Sequence, residues 1–375
     1  MKNNRVLSSQ ELAQFGAELD ALKARVTADL GESDARYINN IYKAVNYTEA
    51  AGRGLLFAGV FPPAWIAGTA LLGVSKILEN MELGHNVMHG QYDWMCDSRF
   101  NGKNYEWDIV GTADNWRKTH NFKHHTYTNI KGMDDDVGYG ILRLFPEQRW
   151  RPFYLMQPVY SVLFALLFQW GVAIQDLELG KVFSGKKTKA QLKEEWQPVA
   201  AKVKKQLLKD YVLFPLLAGP FFLPVLLGNL VANGMRNLWT FTIIFCGHFT
   251  EHAEVFEDKG AAETRAEWFV RQIRGSSNIS GGALMDFLSG NLSHQIEHHL
   301  FPDLPANRYK ALAPQIRALC EQYGQHYNTG SFAQQLGTVL VRLTVMSVPD
   351  AKRQGLERKV DAVKRFFRRT PRVPA

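Results

Sequence analysis

Two stretches of this chain are too long and too apolar to be comfortable in an aqueous fold. One is LLFAGVFPPAWIAGTALLGV at 55–74; the other is YVLFPLLAGPFFLPVLLGNL at 211–230, followed by LWTFTIIFC at 238–246. About 20 apolar residues in helical form cross the hydrocarbon of a bilayer, and prolines are tolerated there. A helix tends to end before a proline pair, so Pro62–Pro63 predicts a hairpin with its tip at the prolines. Its arms are expected at about 48–61 and 64–82. In the second stretch a turn at Asn233–Gly234 is expected to join spans at about 211–229 and 235–250. The segment 153–175 is also apolar. Were it to span, the lysine-rich segment after it would lie outside, against the positive-inside rule, so an interfacial or re-entrant helix is expected there. The fold class that follows is an all-α integral membrane protein. It has about four transmembrane helices in two hairpins, a cytosolic helical cap and both termini in the cytoplasm.

The rest of the chain is polar: the mean hydropathy is −0.22, which excludes a protein built of membrane helix throughout. The net charge of +8 calls for an anionic partner. The basic runs flank apolar segments and no recognised nucleic-acid motif is present, so membrane lipid is the expected partner and nucleic acid is not. Cys96, Cys246 and Cys320 form no CxxC pair, which argues against disulfides and thiolate metal sites. Residues 1–44 have no apolar core after their positive charges, so a cleaved signal peptide is not expected. Ser8 with Glu11 makes a capping box, and Leu12, Phe15, Leu19, Leu22, Val26 and Leu30 recur at helical spacing. This region is expected to be an amphipathic cytosolic helix. Residues 45–310 form the expected catalytic domain, and 311–375 a basic cytosolic tail that touches anionic headgroups.

Ten of the 11 histidines fall in four groups beside these apolar segments. His85 and His89 stand four apart, as do His248 and His252. His120, His124 and His125 lie in HNFKHH; His294, His298 and His299 lie in SHQIEHH. Residues i and i+4 project from one helix face, so two imidazoles converge on one ion. An adjacent pair points two ways and serves two neighbouring ions. Ten histidines exceed the ligands of a single ion, so two are expected, and imidazole suits Zn, Cu, Fe and Ni alike. Glu82, Glu251 and Glu297 lie close by. They are expected to hold the ring N–H of ligand histidines, with Glu82 also open as a ligand itself.

The motifs HNVMH, WRKTHNFKHHTYTN and NLSHQIEHHLFP, set around paired apolar hairpins, resemble the membrane fatty acid desaturases. ENMELGHNVMHGQYDWM at 79–95 looks most like bacterial acyl-CoA desaturases of the stearoyl-CoA Δ9 type. The resemblance runs from about Arg53 to Arg308. It implies a first box of His85 and His89, and a second of His120, His124 and His125. In the third box, His298 and His299 are preceded by Gln295 in one register and by His294 in another. It also implies an additional ligand near His248 and His252, with His252 the stronger expectation. The cofactors implied are two iron ions, with O2 as co-substrate. The activity implied is cis-desaturation of a long acyl chain carried on CoA or on a lipid, at the cytoplasmic face of a bacterial inner membrane. Trp65, Trp107, Trp239 and Phe287 are candidate walls for an acyl tunnel. Arg117, Lys118, Lys123, Arg271, Arg274 and Arg308 are candidates to meet CoA phosphates or an acidic donor. The chain has neither a GxGxxG motif nor a ferredoxin-like cysteine set, so electrons must come from a separate NADPH-dependent reductase or ferredoxin-type protein. A hydroxylase with the same metal chemistry is the alternative function. A metal transporter is a remote one, since its polar residues belong inside the spans.

Overall fold

The computed structural model describes residues 4–260 and 262–369. Among these the chain is mostly helical; its one sheet pairs β1 (Asn278–Ser280) in parallel with β2 (Thr329–Ser331). The N-terminal region is two helices rather than one. The first, α1 (Ser9–Ala28), opens with the expected Ser8–Glu11 capping box and buries Phe15, Leu19 and Leu22. A second helix, α2, then runs unbroken from Glu32 to Phe57, so the expected boundary at 44 falls inside a helix. Its Ile38, Ile41 and Val45 pack against Leu78, Leu83 and Val87.

The first hairpin reverses at 58–61, as the proline pair predicts. Helix α3 (Pro62–Leu78) starts on those prolines, where a missing N–H costs nothing. Its arms touch because Gly52 carries no side chain: a Cβ there would stand 2.7 Å from the Leu72 nitrogen. From α3 the helix continues through a π-helical segment, Glu79–Gly84, into α4 (His85–Met88). A second π-helical segment, Arg117–His124, lies between α5 (Ala113–Trp116) and α6 (His125–Tyr127).

The apolar segment at 153–175 is broken into α7 (Gln157–Leu166) and α8 (Phe168–Asp176), with the short α9 (Leu179–Phe183) after it. The helical stretches Pro152–Leu166 and Phe168–Phe183 meet at 94°.

The second hairpin corrects the sequence reading. Asn233 and Gly234 lie within α12 (Phe222–His248), a continuous helix of 27 residues. Its partner arm is α10 (Lys189–Leu207), a third π-helical segment (Leu208–Leu213) and α11 (Phe214–Leu217). The reversal falls at 218–221, where Gly219 takes a φ of +55° ahead of Pro220. Asn233 favours the helix because its amide is used elsewhere: it donates to Asp210 Oδ2 at 3.1 Å and to the Asn229 carbonyl at 3.0 Å. Asp210 also binds Lys76 at 2.8 Å and Arg53 at 3.1 Å, which ties the two hairpins together. No single helix among the described residues is long and apolar enough to cross a membrane; the bent pair at 152–183 meets that test jointly.

The remaining elements are α13 (Arg265–Gly275), α14 (Gly282–Leu288), α15 (Gln295–Leu300), α16 (Tyr309–Gln322), α17 (Phe332–Val345) and α18 (Asp350–Arg369). Residues 311–347 are therefore no tail. Helix α16 buries Leu312, Ile316 and Cys320, and α17 sets Val339 and Leu343 in the main core. The basic character is concentrated in α18, and residues 370–375 of the expected tail lie outside the described residues.

Candidate metal centre

Eight histidines from four separate segments meet above the hairpins. Ring nitrogens of His85, His89, His120 and His298 lie within 4.8 Å of one another, and those of His124, His248 and His299 do the same. His125 joins the two sets: it stacks on His299 at 4.4 Å and meets His89 edge-on at 4.7 Å. The contributing elements are α4, the second π-helical segment with α6, the last residue of α12, and α15.

The outward nitrogens are held. His85 Nδ1 donates to Asn86 Oδ1 at 3.1 Å, His124 Nδ1 to Asp134 at 3.0 Å, and His299 Nδ1 to Gln272 Oε1 at 2.8 Å. His120 Nδ1 faces Asp136 at 3.4 Å, and His298 Nδ1 faces the Tyr309 hydroxyl at 3.4 Å. With Nδ1 as donor the proton is fixed there, and each Nε2 keeps a lone pair directed inward. Nε2 of His89, His120, His125 and His298 is buried without a hydrogen-bond partner. Such orphans are costly in a finished core. His248 Nε2 and His299 Nε2 stand 3.1 Å apart, the spacing of two imidazoles at roughly 2.1 Å from one ion. Burial, reinforced by neighbouring rings, pushes His85 down to about 3 and holds His89, His120, His125, His298 and His299 well below the usual imidazole range. They are neutral at pH 7, as ligands must be. For His124 burial acts the same way, but the Asp134 carboxylate outweighs it and raises the value. The donor set fits two metal ions.

Two expected ligands stand apart. His252 is exposed, and its ring lies 5.5 Å from His326. Helix α12 ends at His248, so the four-residue spacing no longer brings the two rings to one face. His294 points to Asp286, its Nε2 3.5 Å from that carboxylate. Gln295 is the residue that reaches the centre: its Nε2 lies 2.9 Å from His248 Nε2, and its Oε1 is buried without a partner.

Among the carboxylates, Glu82 faces away from the ring nitrogens. It accepts from Tyr37 at 2.7 Å, Asn291 at 3.1 Å and Asn86 at 3.3 Å, and so reaches His85 through Asn86. Glu297 accepts from Asn278 at 2.7 Å and Tyr327 at 2.8 Å, and burial pushes it up to about 7. Glu251 is exposed. Sequence reasoning missed Asp134, Asp136 and Gln272; the aspartate run at 134–136, just beyond the second box, was the available signal.

A cavity of about 70 Å³ leads from His85, His120 and His248 along one face of α12, past Trp107, Trp116, Tyr139, Phe168 and Ile244 to Arg236 and Asn237. His248 and Arg236 are roughly 18 Å apart along the helix at ~1.5 Å per residue. Of the four expected tunnel aromatics, only Trp107 lines it. Trp65 instead bonds the Pro224 carbonyl, Trp239 bonds that of Leu288, and Phe287 packs under α2. The expected phosphate-binding cations are largely occupied within the fold: Arg271 by Glu263, Arg308 by Asp29 and Asp34, and Lys123 by Asp135 and Glu178.

The sequence has counterparts among known proteins. The fatty acid desaturase family model matches residues 61–331, and the chain belongs to that family. It is an oxidoreductase. It is 45% identical over 349 residues to the NADPH-dependent stearoyl-CoA 9-desaturase of Mycobacterium tuberculosis, covering 92% of this chain and 82% of that one. With the sn-1 linoleoyl-lipid 6-desaturase of Synechocystis it shares 31% identity over 73% of this chain and 77% of the relative. Fatty acid desaturase 3 of Bos taurus is 25% identical, over 74% and 61% respectively.

Proposed function

We propose that this enzyme is an O2-dependent di-iron desaturase that places a cis double bond in a long-chain acyl-CoA, at the Δ9 position. The observation that carries the reading is the gathering of eight histidines, with inward lone pairs, around two adjacent points. His85, His89, His120 and His298 would hold one iron. His124, His248 and His299 would hold the other, with Gln295 beside it and His125 between the two. When bound, the irons supply O2 activation and the removal of two hydrogens from adjacent carbons. The choice of acyl-CoA and Δ9 rests on the similarity to the stearoyl-CoA 9-desaturase, whose NADPH dependence also supports a separate reductase as electron source.

The chain's own residues position the substrate and keep water out. The apolar walls of the cavity suit methylene groups. At about 70 Å³ it is tighter than ligand pockets of ordinary size, so an acyl chain enters by moving side chains aside. Met81, unbranched and flexible, is suited to give way. The reaction balances as one CH2–CH2 unit, one O2, two electrons and two protons giving one CH=CH unit and two waters.

A membrane location is supported by a belt of exposed apolar residues. Phe61 and Ile66 on the first hairpin, and Leu213, Leu216, Leu223 and Leu230 on the second, all face outward. Helix α12 and the path from Pro62 to Met88 are each roughly 40 Å long, against ~30 Å for the hydrocarbon core. The excess would lift the histidines into the cytoplasm, with both termini on that side of a bacterial cell membrane. The test is expression with an electron-transfer partner in a host lacking unsaturated fatty acids. A Δ9 cis-alkene, lighter than the substrate by two hydrogens, is the expected product. A hydroxylated acyl chain would replace this reading with the hydroxylase one.

A further inference from the structure

Helix α13 touches both the histidine boxes and an open groove in the protein surface. Helix α13 reaches inward with three side chains. Trp268 Nε1 donates to the His125 carbonyl at 3.1 Å. Gln272 Nε2 donates to the same carbonyl at 3.1 Å, while its Oε1 holds His299. Arg271 donates to the carbonyls of Thr126 at 2.7 Å and Thr128 at 3.0 Å. The second and third histidine boxes thus hang from this helix. Trp268 is half-buried, and it also lines an open groove of about 930 Å³ together with Leu7, Tyr127, Ile130 and Phe256. Groove and cavity share no lining residue.

We propose that Trp268 is the point at which electrons enter the metal centre. The inference rests on the desaturase reading, which requires two electrons per turnover from another protein. A donor cannot approach through a narrow cavity that the acyl chain must fill, so its electrons have to cross a protein wall. At Trp268 that wall is bridged by one hydrogen bond and a covalent path. The indole π system faces the groove, its N–H contacts the His125 carbonyl, and covalent bonds lead from that carbonyl to the imidazole. Coupling through bonds and one short hydrogen bond exceeds coupling across a gap of van der Waals width. The donor is a one-electron carrier protein, iron–sulfur or haem, fed from NADPH. It is oxidised twice per turnover, each iron is reduced once, and Trp268 ends as it began. Trp268 acts through His125 and is in that sense a positioning residue.

The test uses iron-loaded full-length enzyme and a reduced ferredoxin-type protein, whose oxidation is followed by stopped-flow absorbance at its own visible band. Iron per chain is measured by mass spectrometry. Trp268→Phe keeps the bulk of the side chain but removes the N–H; Trp268→Ala removes both. The expected result is that Trp268→Phe retains the parent iron content and is reduced at the parent rate by dithionite with a small mediator. With the protein donor it loses most of the fast phase, and Trp268→Ala loses all of it. Donor oxidation at the parent rate in both variants would overturn the inference. So would iron loss accompanied by equal slowing with both reductants, since that marks a merely structural role. If the parent itself holds iron and accepts electrons but yields no alkene, the desaturase reading fails and the electron route stands apart from it.

Discussion

His248 and His252 define what one residue contributes to this centre. His248→Ala is expected to bring iron per chain from about two toward one, whereas His252→Ala leaves it unchanged; metal analysis of the purified variants decides. Gln295→Ala should weaken the same ion, and His294→Ala should not. Asp134→Ala leaves the ring N–H of His124 unheld, and loss of such a partner costs about 10–100-fold in metal affinity or activity. Titration with a competing chelator reads it. The sequence identified the histidine groups that the fold brings together but could not choose among adjacent candidates. Spacing of four residues implies a shared face only while the helix lasts, and α12 stops at His248. His294 precedes α15, whereas Gln295 is its first residue, so they point in different directions although they are neighbours. Partners such as Gln272 and Asp134 are common polar residues with no motif of their own, and only folding brings them to the histidines.

Prolines and a buried charge govern the elements. Pro62–Pro63 marked the first reversal correctly because no other residue competed for it. In the second hairpin, Asn233–Gly234 has turn composition, but burial gives the Asn233 amide a carboxylate partner and the helix prevails. The reversal passes to Gly219–Pro220, which looked like a tolerated interruption within a span. Asp210→Ala would leave buried Lys76 with only Asp108, 3.9 Å away, and buried Arg53 with only Glu49 on its own helix. Breaking a buried pair in this way costs about 3–5 kcal/mol, visible as a lowered unfolding midpoint in detergent. Gly52→Leu should cost about 1–3 kcal/mol, since its Cβ meets backbone rather than a movable side chain. The same assay reports it, with the iron content of the surviving folded fraction unchanged.

For the whole molecule, the crowded imidazoles set a response to acid. In the unfolded chain they take up protons near pH 6.5, whereas in the fold His85 does so only at about 3 and its neighbours are also depressed. Between those values the unfolded state binds more protons on these rings, so their share of the stability falls as pH falls. His124 is raised instead, as are buried carboxylates such as Asp136 and Glu297, both pushed up to about 7 by burial, and these act the other way over the same range. Between pH 7 and pH 5 the thermal stability of the iron-free parent should therefore shift downward relative to that of iron-free His298→Gln, and bound iron should oppose that shift until protons displace it. Four histidine groups beside apolar stretches were enough to foresee a shared centre. The division of the ligands into two sets was not legible, because it depends on helix phase. Two of the three π-helical segments, Glu79–Gly84 and Arg117–His124, run directly into or through the ligands. Each wide turn carries one residue more than an α-helix would. Deleting a single residue from Glu79–Gly84 would let the helix tighten and swing His85 and His89 together by roughly 100° about its axis. Every histidine would survive, yet the first box would turn away from its partners, so in this enzyme one surplus residue decides whether the scaffold can bind metal at all.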